Sequence, residues 1–291
     1  MRNESIFFNE SESFLKESES CLEESESKFF NKNKSVLRNT YIHINGLSKA
    51  YEKRIWKHGV DSWENALEKI DNLPLNSNKK ELLKIGVEES TEMLNCGNYR
   101  YFSNLLPTNE HWRAYPEFSD SVAYLDIETT GPGRYNEITV VGIYDGKKKE
   151  AKTFVKGIDL DLVPEELSKY KMLVTYNGAC FDLPCIMREF PEIDLNKTHF
   201  HVDLRYPLNR IGYKGGLKKI EREMGIRRPD ELEGVDGFEA VRLWKRYKIY
   251  KDEKALEKLL MYNKEDIINL ELIIEKVYPQ IVDEYIKRMI K

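Results

Sequence analysis

Along the second half of the chain, apolar residues come in short bursts separated by turn residues: SVAYLDIETTG, EITVVGIYDG, EAKTFVKG, KMLVTYNG and HFHVDLRY. Bursts of this length, rich in β-branched and aromatic residues, predict strands. The second and third are joined at Asp145-Gly146, which predicts a hairpin. The spacing turns helical in DLPCIMREF, LKKIEREMG, FEAVRLWKRY and a long segment from Ala255 to about Tyr278. Strands and helices mixed in this way predict an α/β or α+β layer fold with a mixed sheet.

The first half has a different pattern. Ile42, Ile44, Leu47, Ala50, Ile55 and Trp56 precede a break at Gly59, and Trp63, Ala66, Leu67 and Ile70 follow it. This predicts two short amphipathic helices around tight turns. Helical character continues through KKELLKIGVEESTEMLNCG, and Pro107 and Pro116 mark a boundary before the first strand. Residues 9–27 hold a seven-residue repeat, SESFLKE, SESCLEE, SESK, with few apolar positions. It suits a solvated, disordered low-complexity tail, with a partner-docking helix as the other reading. The expected division is a tail over 1–40, a helical domain over 41–118 and an α/β domain over 119–291.

Composition narrows the function classes. With 41% hydrophobic and 33% charged residues and a net charge of -4 in 291 residues, the chain is expected to be a mildly acidic globular protein. Any nucleic-acid contact must then come from a local basic patch. The four cysteines, at 21, 96, 180 and 185, have no zinc-like CxxC spacing and are too few to staple a chain of this length. No signal-peptide pattern or membrane-length apolar run is present, so a cytoplasmic protein without a membrane partner is expected. Neither G-x-S-x-G nor GxxxxGK[ST] occurs.

Four acids stand out. Strand alternation puts Asp126 and Glu128 on one face with Val122 and Tyr124, and Ala123, Leu125 and Ile127 on the other. Two same-face carboxylates among apolar residues either reach solvent at a strand end or share a cation, since a buried carboxylate must pair, bind metal or be neutralised. In the last helix, Ala255, Leu256, Leu259, Leu260, Ile267, Leu270, Ile273, Ile274 and Val277 form one apolar arc, and Asp266 falls inside it. Glu257, Glu265, Glu271 and Glu275 fall on the opposite side. Tyr262 lies one turn before Asp266 and can address the same point, or simply fill the core. Asp182, after YNGACF at a helix start, is a fourth ligand or an N-cap. Oxygen-only ligation by these four suits Mg2+ or Mn2+ rather than zinc.

These residues resemble a known set. LDIETTG, YNGACFD and YNKED, in that order over about 119–280, resemble the three motifs of the DEDD exonucleases, the DnaQ-like group of the ribonuclease H-like superfamily. The tyrosine four residues before Asp266 matches the tyrosine subclass. HVDLRYPLNR resembles the strand after the second motif, with Asp203 supporting. An amino-terminal helical segment followed by EHWRAYPEF resembles the YprB-like predicted nucleases. The resemblance implies a ribonuclease H-like mixed sheet flanked by helices and two-metal 3′ to 5′ hydrolysis of DNA or RNA. Asp126, Glu128 and Asp266 would hold one cation, Asp126 would bridge to a second assisted by Asp182, and Tyr262 would orient the attacking water. Asn177 and Phe181 of the second motif would meet the substrate.

Phosphate contacts are expected from Lys214, Lys218 and Lys219, which crowd the glycine turn YKGGLKK. The bases from Arg205 to Lys251 are interspersed with acids, so a solvated mixed face is the other reading. HINGLSKAYEKRIWKHG resembles a helix-hairpin-helix in which Ser48 replaces the second glycine, so Gly46 to Lys49 either dock nucleic acid or only shape the turn. His199 and His201 share a strand face with Asp203 and are expected to serve packing and hydrogen bonding rather than zinc binding. Two other readings are a nuclease-fold binding module without catalysis and a scaffold whose tail recruits a protein.

Overall fold

The computed structural model describes residues 35–290 other than 132, 134, 135 and 233. The seven-residue repeat and the disorder expected for it lie outside the described residues. All five expected strands form: β1 (Val122–Thr129), β2 (Ile138–Asp145), β3 (Glu150–Val155), β4 (Met172–Thr175) and β5 (Phe200–Asp203). They make one mixed sheet in the order β3-β2-β1-β4-β5. The hairpin closes with Asp145 opposite Glu150, and β1 pairs antiparallel with β2 and parallel with β4. β1 is therefore central, and its two faces meet different layers. Ala123, Leu125 and Ile127 join an apolar cluster with Val163, Leu173, Leu183 and Ile186. Val122 and Tyr124 face the cluster that contains the last helix.

The longer helices before the sheet are α1 (Lys49–Lys57), α2 (Trp63–Glu68), α3 (Ser77–Asn95) and α4 (Tyr99–Leu105). The longer helices after β4 are α5 (Asp182–Glu189), α6 (Leu217–Glu223), α7 (Gly237–Tyr250) and α8 (Glu253–Ile290). Before α1, residues 41–48 form turns with Gly46 at φ +86°, preceded by a 3-10 turn over Val36–Asn39. The hairpin-like segment thus carries one α-helix, and Lys49 at its start is tied to Glu110.

Helix α8 does not stop near Tyr278 but continues through Pro279 to Ile290. A proline inside a helix costs about 3 kcal/mol. Burial of Ile281, Val282, Ile286 and Met289 offsets this, at roughly 1.5–3 kcal/mol for each fully buried large apolar side chain. Those side chains share one core with Val36, Leu37, Trp56 and Trp112, so the first and second halves of the chain are joined by apolar packing. At that junction the Arg113 guanidinium, fully buried, bonds Glu110 at 2.9 Å and Glu52 at 3.0 Å and also reaches the Tyr285 hydroxyl.

Four histidines are buried. His43 bonds Ser90, His111 faces the Ser103 and Leu106 carbonyls, His199 faces the Leu167 carbonyl, and His201 meets the Thr175 hydroxyl at 2.9 Å. The packing and hydrogen-bonding role expected for His199 and His201 is what their neighbours provide. Burial lowers His43 and His201 to about 3 and His111 to about 4. In the unfolded chain each titrates near 6.5, so below that pH these three sites bind more protons in the unfolded state and their own contribution to stability falls with acid. Near pH 5, urea unfolding of a His43→Gln variant is expected to take up about one proton fewer than unfolding of the wild type. A difference between the two midpoints that stays constant from pH 6.5 to 4 would contradict it.

Candidate active site

The site forms where β1 runs under α8. Alternation brings Asp126 and Glu128 to the α8 side of the sheet, and the apolar stripe of α8 turns Asp266 to meet them. Carboxylate oxygens of these three residues all lie within 4.8 Å of one another. Asp182, at the first turn of α5, lines the same cavity. It does not cap its own helix. Its Oδ1 accepts the Ile127 backbone N–H at 3.1 Å, a bond across 55 residues that ties α5 to β1. It stands outside the tight cluster of three.

The cavity has a volume of about 470 Å3, within the range of about 300–1,000 Å3 usual for small-ligand sites. Tyr262, Asn177 and Phe181 line it as the motifs imply, and Phe238 and Val241 of α7 complete one wall. The Tyr262 hydroxyl makes no hydrogen bond to any described residue and stands free to meet a water or a substrate oxygen. Asn177 takes a left-handed conformation, φ +68°, which asparagine tolerates better than most residues. Its side-chain oxygen accepts from Arg205.

Asp203 sits behind this wall. Its two oxygens accept the backbone N–H groups of Asn177 (2.7 Å), Ala179 (3.1 Å) and Arg205 (3.1 Å), so it shapes the 176–181 turn from beneath. The three lysines separate. Lys218 lies over the Tyr262 ring, 4.4 Å from its centre, and donates to the Val235 carbonyl. Lys219 pairs with Glu223 at 3.4 Å, and Lys214 is exposed. None of the three lysines is among the residues that line the cavity.

Sequence reasoning overlooked three contacts. Asn263 donates through Nδ2 to the Asp126 side chain at 3.0 Å and to its carbonyl at 3.3 Å. The strand partner of Asp126 is Gly142, where an added Cβ would come within 2.1 Å of Asn263 Oδ1. A glycine is required there for the asparagine to reach the acid. Arg228 bonds both Asp266 and Glu221, and Glu221 is held in turn by Asn269 at 3.0 Å. Asp266 is also not the single inward acid of α8. Glu271 is buried, where Lys149 reaches it at 2.8 Å and the Tyr144 hydroxyl at 3.2 Å, a pairing that helical angle alone does not reveal.

Burial dominates the electrostatics of the cluster, with mutual repulsion added. Both push Asp126 and Glu128 well above the ordinary carboxylate range, through burial and the charges of Asp266 and Asp182. Asp182 is pushed up to about 7, chiefly by burial. Burial also raises Asp266, although the Arg228 charge pulls it back. Glu128 is 8% exposed and accepts no hydrogen bond from any described residue. Converging, underbonded carboxylates of this kind fit a hard divalent cation, which would remove the repulsion and supply the missing partner. No other such group occurs among the described residues.

A family model described as the RNase_H superfamily matches residues 123–278. Among solved structures, the family B DNA polymerase from the hyperthermophilic archaeon Pyrobaculum calidifontis is similar over 58% of this chain. The sequence identity is 14%, the TM-score is 0.40, and the match spans 29% of that polymerase chain. No curated protein matches.

Proposed function

The chain belongs to the RNase_H superfamily, whose fold its mixed sheet and flanking helices have, and on that premise we propose that it is a divalent-cation-dependent exonuclease. It would hydrolyse phosphodiester bonds at the 3′ ends of DNA or RNA, as a YprB-like member of the tyrosine subclass of the DEDD exonucleases. The observation that carries the reading is the convergence of Asp126, Glu128 and Asp266 within 4.8 Å, in a cavity shared with Asp182 and Tyr262.

Asp126, Glu128 and Asp266 would hold one Mg2+ or Mn2+, and Asp126 with Asp182 a second. Bound cations supply a more acidic water and neutralise the charge that develops on the phosphate. The protein's own groups provide the geometry. Asn263 holds Asp126 from below, Arg228 holds Asp266 from the side, and the Ile127 amide fixes one oxygen of Asp182. Tyr262, kept protonated by burial and by the charges of Asp266 and Glu128, would orient the attacking water through its free hydroxyl. Asn177 and Phe181 would contact the terminal nucleotide. The intact acid set argues against a binding module that has lost catalysis.

The test uses 3′- and 5′-labelled DNA and RNA oligonucleotides with purified protein in Mg2+ or Mn2+. Stepwise release of nucleoside monophosphates from the 3′ end, abolished by chelation and restored by the cation, is expected. Cleavage that persists in chelator, or no cleavage of any of these substrates by folded protein, would refute the reading.

A further inference from the structure

Helix α7 carries a feature that the cavity does not use in full. Its buried side is Ala240, Leu243 and Trp244, packed against α8. On the opposite side Phe238, Arg242, Lys245 and Ile249 fall within a narrow outward stripe, at spacings of four, three and four residues. Phe238 is 68% and Ile249 66% exposed, more than any other large apolar side chain among the described residues except Tyr250, which ends the same helix. The helix has four cations (Arg242, Lys245, Arg246, Lys248) and one acid (Glu239), although the whole chain is net negative. Lys245 and Lys248 have no ion-pair partner among the described residues, while Arg242, itself well exposed, shares Glu239 at 3.0 Å and Arg246 pairs with Asp252.

The stripe starts at the site. Phe238 lines the cavity that contains Asp126 and Asp266, and from there the stripe leads away for eleven residues, about 16 Å at the helical rise. A pair of exposed basic side chains flanked by exposed apolar ones suits one kind of polymer. Phosphates pair with the cations, and bases lie on the apolar side chains only if their faces are not already stacked and paired in a duplex.

We propose that the outward face of α7 is a track for single-stranded nucleic acid, along which the strand approaches the cavity. This rests on the nuclease reading of the cavity and names its substrate class. The lysines first expected to contact phosphate do not form such a track: Lys214 and Lys219 lie at the turn before α6 and on α6, off this stripe, and Lys218 is turned into the Tyr262 wall.

The test is Arg242→Glu combined with Lys245→Glu, both at exposed positions, with Lys84→Glu and Lys197→Glu on other helices as a charge-matched control. Binding of a fluorescent unstructured oligonucleotide of about 20 nucleotides is measured by anisotropy in chelator, where cleavage plays no part. The track variant should bind at least about ten-fold more weakly, with the slope of log affinity against log salt shallower by about 1.4 for two lost phosphate contacts. The control should bind like wild type, and a blunt duplex should bind wild type more weakly than the single strand. Unchanged affinity and slope in the track variant would overturn the proposal, as would equal losses in the control or no binding of the single strand by wild type. Because binding is read without cleavage, loss of binding in a protein that cuts nothing would leave the track standing and remove the nuclease reading. Cutting by wild type with unchanged variant binding would do the reverse.

Discussion

Replacing Asp126 with asparagine is expected to slow phosphodiester cleavage by at least about 10³-fold without unfolding the protein, the scale seen when a member of a cooperating catalytic set is removed. The side chain is nearly isosteric, and its oxygen can still accept from Asn263. What is lost is a charge at the centre of three converging carboxylates. The same variant carries a stability signature independent of turnover. Burial and the neighbouring acids raise Asp126 well above the ordinary carboxylate range, whereas in the unfolded chain it ionises near 4. Above pH 4 the unfolded state therefore binds fewer protons at this site, and the contribution of Asp126 to the stability of the metal-free wild type falls as pH rises. Asparagine has no proton to lose, so the melting temperature of the variant relative to wild type should increase from pH 5 to pH 8. Wild-type rates in the variant would remove Asp126 from the site. A melting difference that does not change with pH would show that the carboxylate is ionised and satisfied by other means.

The largest expected loss of stability lies far from the cavity. Arg113→Met is expected to destabilise the protein by about 3–5 kcal/mol, because it leaves the carboxylates of Glu52 and Glu110 buried without their shared partner. Lys49 still reaches Glu110, but Glu52 keeps only the Tyr41 amide, at 2.8 Å, and a long bond from Tyr285. Urea denaturation read by tryptophan fluorescence measures the change. The triple variant Glu52→Gln, Glu110→Gln, Arg113→Met should recover much of it, since buried polar groups without charge cost less than unpaired ions. A cost below about 1 kcal/mol for Arg113→Met would mean that this network contributes no more than an exposed ion pair.

Why some features were legible and others not follows from the range of the interactions. Strand and helix types were readable because they depend on local periodicity, as were the inward turn of Asp266 and the shared face of Asp126 and Glu128. The helix end was misjudged because a local rule about Pro279 competed with burial of Ile281, Val282 and Ile286 against residues more than 200 positions away. Asp182 reads locally as a ligand or a cap because its neighbours in sequence allow either, whereas the bond it accepts comes from the Ile127 amide on β1, 55 residues away. Asn263 lay inside the quoted YNKED motif, yet only the register of Asp126 against Gly142 reveals its role. Arg228 was one basic residue among many until the 225–235 connection brought it to Asp266.

By itself, the sequence determined which residues could carry the chemistry and on which face of its own element each one lies, because side-chain direction repeats every two residues in a strand and every 3.6 in a helix. Only the tertiary structure decided which faces meet. Distances between carboxylates 138 residues apart depend on how α8 lies across β1. Their protonation depends on how much water that packing excludes. The α7 stripe obeys the same division: its exposed aromatic and basic rhythm is a local pattern, while its start at the mouth of the acidic cavity is a product of the fold.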